Sequence, residues 1–441
     1  MTTYPPPIVG RTGDNQAHPV FLAASDMEVG SSNPLPVGLG DSASVDAFAR
    51  LRVSDPTTLF DSSSIYQNSP LIWQTKTAGS GSSSFVANDS SVDLTVTAAA
   101  GDSVIRQTRQ YYPYQPGKSQ LVFMTFNLGE TDGISFVLRS KTSGTVVDTV
   151  FERADWNVDT FDGNGLSGKT ADMTKAHIFW ADLEWLGVGR VRMGLVIDGT
   201  PLLGHVINNA GAKLTTYMKR AFLPCRYEIT NDATHTTKLA GYGDADDGVF
   251  IRAKNAKGAA TLKTICCAIM SEGGYSDAMG VPFGVANGTT TIGVTTRRAI
   301  LSIRPKLTFN SLVGRALVAV EAINLYAQTN PCYFEVVYGG TLGGSPSWAS
   351  ANDQSMVEFD VAGTTVTGGV TIASGYATAG GTGSNAFSTS QQRSLQARLP
   401  IALDIDGAHP TTPYTDSLSV VVTSMSGTSN VASNISWREI R

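Results

Sequence analysis

From about residue 63 to 275 the apolar positions fall in short alternating runs, separated by clusters of Gly, Asn, Asp and Ser. Residues 93–98, 103–109, 120–126, 134–139, 146–151, 178–186, 190–197, 226–230 and 261–270 all follow this pattern. Alternation with a period of two puts successive side chains on opposite faces of a strand, and no helical period intervenes. Such spacing predicts an antiparallel β-sandwich over 46–278. A second series of runs fills 297–441 and predicts a smaller sandwich. Between them, MGVPFGVANGTTTIGVTT (279–296) reads as a glycine-rich linker, and 374–390 as an exposed loop. Residues 1–45 carry Pro5-Pro6-Pro7 and scattered apolar positions, too few to form a core, and read as an extended docking arm. The predicted fold class is therefore all-β: two antiparallel sandwiches preceded by a proline-rich arm.

One hairpin is written out in the pattern. In IFWADLEWLGVGRVRMGLVIDG (178–199), Phe179, Ala181, Leu183 and Trp185 share a face, and Trp180, Asp182 and Glu184 share the other. A short turn centred on Gly187 pairs Leu183 with Val191 and Ala181 with Met193. It also sets Asp182 opposite Arg192 and Glu184 opposite Arg190. Two carboxylates beside two tryptophans also suggest a glycosidase strand. Facing arginines, however, lower carboxylate pKa values, whereas a glycosidase needs one raised. The third carboxylate of the laminarinase pattern E-x-D-x-x-E is missing. The hairpin is therefore expected to hold structural ion pairs, with no catalytic residue.

Composition narrows the function classes. Charged residues are 16% of the chain and the net charge is −5, so no basic footprint for nucleic acid exists. No run of about 18 apolar residues offers a membrane helix. The N-terminus lacks a charged and apolar leader, and Cys225, Cys266, Cys267 and Cys332 read as buried free thiols, which suits a reducing cytoplasm. Other motifs fail on context. Gly163–Gly168 matches G-x-G-x-x-G without a preceding buried strand, and Pro116–Ser119 lacks the first glycine of a phosphate loop. Asp244, Asp246 and Asp247 resemble a calcium loop, but Asn255 stands where its last glutamate belongs. The five histidines show no zinc spacing. No metal and no cofactor is expected.

Longer stretches carry a resemblance. VDAFARLRVSDPTTLFDSSSIY (45–66), YQPGKSQLVFMT (114–125), EWLGVGRVRMGLVIDG (184–199), RYEITND (226–232) and MSEGG (270–274) resemble a family of structural proteins of tailed-bacteriophage virions. So do SIRPKLTFNS (302–311), EVVYGGTLGGSPSW (335–348), EFDVAGTTVTGGVTIASGY (358–376), HPTTP (409–413) and SWREIR (436–441). The resemblance covers nearly the whole chain after residue 45, and departs at Ala49, where the family's pattern carries glycine. It implies a non-enzymatic virion protein, made in the host bacterial cytoplasm and assembled with tail, portal-proximal or capsid proteins; self-association, as a trimer, is expected beside it.

Three readings follow. The first is a peripheral tail or tail-fibre component docked through its arm by Tyr4, Ile8, Val9, Phe21, Leu22 and Leu35. In it the lectin- or jelly-roll-like first sandwich offers Trp73, Tyr111, Tyr112, Tyr114 and Trp180 as candidates for contact with host surface glycan. The second is a head-decorating protein. The third is a glycan depolymerase on a concanavalin-like fold.

Overall fold

A computed structural model describes residues 56–314, 316–379 and 416–441, the strands Ile8–Arg11, Ala17–Val20, Asn385–Ser388 and Arg398–Leu399, and residue 405. Strands dominate, and the only helical elements among the described residues are three short 3-10 turns. No described helix is long and apolar enough to cross a membrane.

The first half of the chain builds two large sheets. One has seven strands, in the order Val147–Glu152, Ile134–Ser140, Gly248–Ala256, His235–Gly243, Cys225–Asn231, Ser103–Thr108 and Trp73–Ala78. The other runs Thr200–Asn208, Arg190–Ile197, Ala176–Leu183, Ser119–Asn127, Ala260–Glu272, Ser91–Val96 and Ser82–Val86, with Thr57–Ser63 added beside Ala260–Glu272. Every pairing in both is antiparallel. The inward residues of the two sheets, among them Val122, Met124, Phe136, Phe179, Ile229 and Ile251, form one core. This is the sandwich that the alternation requires: each sheet has an apolar face that only another sheet can cover.

The second half repeats the plan. Ser429–Ile440 lies between Val281–Ala286 and Leu317–Ala327, and Cys332–Gly343 pairs with Asp416–Ser424, which pairs with Arg298–Pro305. Ile300, Ile303, Val320, Val336, Val420, Ile435 and Trp437 fill a core of their own.

Two expectations need correction. The stretch read as a glycine-rich linker carries two strands, Val281–Ala286 and Ile292–Val294, and both pair with Ser429–Ile440. Its alternating Val281, Phe283 and Val285 were masked by glycines, and the partner lies far along the chain. The stretch read as a loop over 374–390 begins as strand, because Val370–Ala377 pairs with Cys332–Gly343, and it carries a second strand, Asn385–Ser388, that pairs with Leu317–Ala327. Ile8 and Val9 sit on a strand paired antiparallel with Ala17–Val20. Tyr4, Phe21, Leu22 and Leu35 lie outside the described residues, as does most of the docking arm.

Candidate functional site

The hairpin pairs as its sequence requires: Leu183 opposite Val191, Ala181 opposite Met193, Asp182 opposite Arg192. Beyond the last pair the Glu184 amide donates to the Arg190 carbonyl at 3.2 Å, and Gly189 closes the turn onto the Leu186 carbonyl at 2.9 Å. Phe179, Ala181, Leu183, Val191, Met193 and Leu195 all enter the first core. The opposite face is not the solvated face that its charges suggest. Trp180, Asp182 and Arg192 are each fully buried, and the Arg192 guanidinium donates to the Asp182 carboxylate. The same guanidinium lies 5.9 Å from the Trp180 ring, whose Nε1 donates to the Leu202 carbonyl at 3.0 Å. Gly194 makes room for this indole: a Cβ there would stand 2.7 Å from Trp180 Nε1 and 2.0 Å from the Leu202 oxygen. Arg190 extends outward and its Nε donates to Asn208 Oδ1 at 3.0 Å. The arrangement holds two strands together and offers no acid to a substrate.

The aromatic candidates for sugar contact are corrected as a group. Trp73, Tyr111, Tyr112, Tyr114 and Trp180 are all buried, and a ring can stack on a sugar only if one face is open. Trp73 sits in the core beneath the Arg106 guanidinium, 4.7 Å from its ring, and donates from Nε1 to Ser62 Oγ at 2.9 Å. Tyr112 packs on Phe60 with ring centres 4.9 Å apart, and Tyr114 meets Trp185 edge-on. Gln107 donates from Nε2 to the Tyr111 hydroxyl at 3.1 Å. The Tyr-rich segment is the internal crossing between two strands, so its rings are spent on packing.

The acidic turn at 244–247 is spent on its own framework. Asp244 accepts from the amides of Asp246 and Asp247 at 2.8 and 3.0 Å. Asp246 pairs with Lys141 at 2.9 Å and with Arg220. Burial pushes the Asp246 carboxyl upward, but hydrogen bonds from Lys141 and Arg220 outweigh it and hold the group below the ordinary carboxylate value. Asp247 is instead raised by burial, although it accepts from the amides of Lys219 at 2.8 Å and Lys141 at 3.1 Å. A calcium ion would compete with two cations already in place. Among the described residues no cluster of His, Cys, Asp and Glu has the geometry of a metal site.

One cleft was not signalled by any motif. It has a volume of about 500 Å3 and opens at an end of the first sandwich, between Thr131, Asp132, Glu152, Arg153, Asp162 and Thr170. Arg153 is anchored at its rim: its guanidinium donates to the carbonyls of Thr160 (2.7 Å), Phe161 and Ala171 (3.3 Å). The Asn164 amide donates to Asp162 at 2.8 Å and holds its carboxyl below the ordinary value. A depressed carboxyl is an acceptor, not a proton donor, at neutral pH. The cleft's residues come from four separate short segments, 131–134, 152–153, 162 and 170–171, which is why spacing alone did not group them; the glycine-rich Gly163–Gly168 turn is the one local signal beside it.

No family model matches the chain, and no curated protein matches it. Among solved structures, lectin I-B4 of Griffonia simplicifolia in its metal-free form is similar at 12% identity, over 48% of this chain and 99% of that one, with a TM-score of 0.19. Lectin II of Ulex europaeus is similar at 11% identity, over 50% of this chain and 100% of that one, with a TM-score of 0.19. The Bauhinia forficata lectin in complex with GalNAc is similar at 11% identity, over 49% and 98% of the two chains, with a TM-score of 0.19. Scores of this size are too low to support a common function, and the β-sandwich assignment stands on the strand pairings of this chain.

Proposed function

We propose that this chain is a non-enzymatic structural protein of tailed-bacteriophage virions, a peripheral tail component that docks through residues 1–45. The observation that carries the reading is the buried Asp182–Arg192 pair. The one carboxylate strand that suggested sugar chemistry is spent on joining two strands, and this supports a framework role. The resemblance of motifs in both sandwiches to virion structural proteins supports the virion reading. Assembly as a trimer with other virion proteins belongs to the same reading. Contact with host surface glycan belongs to this reading as well, and the polar cleft beside Glu152 and Asp162 is the place for it in preference to the buried aromatics.

Immunogold labelling of purified particles tests the location. Label on the tail is expected; label on the head alone replaces the tail reading with a head-decorating protein, and absence from particles ends the proposal. Incubating the purified protein with host polysaccharide should release no reducing ends. Release of them would restore the depolymerase reading.

A further inference from the structure

A buried lysine and a side-chain amide meet on one carboxylate at the rim of the first sandwich. Lys238 lies on His235–Gly243 and Asn255 on Gly248–Ala256, neighbouring strands in the interior of the seven-stranded sheet. Lys238 stands opposite Ala253, and Asn255, two places further along, shares that face. Diagonal positions of this kind lie about 7–8 Å apart, within reach of a long side chain. Ala240 and Ala253 mark the face as the inward one, and Lys238 is buried there. Glu130 enters from the connection between Ser119–Asn127 of one sheet and Ile134–Ser140 of the other. Its Oε1 accepts from Lys238 Nζ at 2.6 Å, and its Oε2 accepts from Asn255 Nδ2 at 2.8 Å. Lys238 also donates to the Leu128 carbonyl at 2.5 Å, which fixes the amine from a second side. Gly133 leaves space for the amide: a Cβ there would stand 2.8 Å from Asn255 Oδ1. Two other buried cations in ion pairs, Arg192 and Arg226, carry guanidiniums that cannot give up a proton to become nucleophiles.

We propose that Lys238 and Asn255 join in an intramolecular isopeptide bond, with Glu130 as the proton carrier. A general base must lie within about 2.6–3.2 Å of the group whose proton it takes, and Glu130 meets that condition toward Lys238. It takes one proton from the Lys238 ammonium, and the freed lone pair attacks Asn255 Cγ to form the new C–N bond. Glu130 returns that proton to Nδ2, the Cγ–Nδ2 bond breaks and ammonia leaves. The joined nitrogen sheds its second proton through Glu130 to the departing ammonia. An ammonium ion is released, the carboxylate is restored, and atoms and charge balance without an oxidant. Holding amine, amide and base in one pocket makes the step unimolecular, which removes the cost of bringing them together. Once made, the bond ties the hairpin near the end away from its 244–247 turn, in the interior of the sheet, and no reductant can undo it.

The mass of the full-length protein, purified, denatured and reduced, tests this. It should fall one ammonia short of the mass that the sequence requires. Trypsin should leave the chain uncut after Lys238, and one branched peptide should carry Lys238 joined to Asn255. Lys238→Arg and Asn255→Ala should each restore the sequence mass. Glu130→Gln keeps the shape and removes the base, so it should slow formation of the bond by about 10²–10⁴-fold. The wild-type measurement stands whether or not a variant folds. The full sequence mass with ordinary cleavage after Lys238 in the wild-type protein would overturn the proposal and leave the three residues as an ion pair with a hydrogen-bonded amide. Loss of ammonia without a branched peptide would overturn it too. A branch formed as fast in Glu130→Gln as in the wild type would remove Glu130 from its role.

Discussion

Arg192 and Asp182 face each other with no exposed surface on either side chain. Taking two charges out of water is costly, and their attraction repays the cost only while both are present. Arg192→Ala strips the facing cation from a buried carboxylate, so it is expected to destabilise the protein by about 3–5 kcal/mol in urea unfolding. Replacing both partners together, as Asp182→Leu with Arg192→Met, should recover most of that loss, because an apolar pair needs no counter-charge. A single substitution costing less than about 1 kcal/mol would show that the pair is solvated after all. Sequence alternation told which residues share a face, and it placed Asp182 against Arg192 correctly. It could not tell that the polar face is covered as well. Trp180, Leu121, Leu203 and Val206 cluster on that face from three different strands, and only the folded sheet brings them together. The same limit explains Tyr111, Tyr112 and Tyr114: parity of position says nothing about what packs above a ring.

The strand hairpin was legible because turn, register and both faces lie within one short stretch, 178–199. Long-range pairings were not. Ala260–Glu272 joins Ser119–Asn127, Ser91–Val96 and Thr57–Ser63, partners set by which apolar edges meet after collapse and by no local turn. Val281–Ala286 is the clearest case, since its glycines read as linker until Ser429–Ile440 lies beside it. Backbone amides already paired in a ladder cannot enter a protease cleft. Limited thermolysin digestion should therefore spare 281–286 in the intact chain. Removing residues 429–441 should make 281–294 an early site. Rapid cleavage within 281–286 of the intact protein would refute the pairing.

Each half of the chain has its own large core, and a described link between the halves is a hydrogen bond from Arg226 Nη1 to the Ile405 carbonyl at 2.5 Å. Two separate cores give the chain two candidate cooperative units. Scanning calorimetry is expected to resolve two transitions. Phe136→Ala should lower one of them and Trp437→Ala the other, each by the several kcal/mol that emptying a buried aromatic site costs, about 3–5. A single transition displaced by both substitutions would show one cooperative body instead. The strand Ser429–Ile440 carries a further consequence, which concerns time. It is flanked on both sides, pairing Val281 with Glu439 and Leu317 with Ile440. A ribosome adds about 5–20 residues per second, so Val281–Ala286 emerges on the order of ten seconds before the strand it must pair with. Throughout that interval the second half has an unfilled gap in the middle of a sheet, with apolar faces and unpaired amides open to neighbouring nascent chains. The second sandwich therefore matures only after its last strand has left the ribosome, and crowded polysomes are where it is most exposed to mispairing.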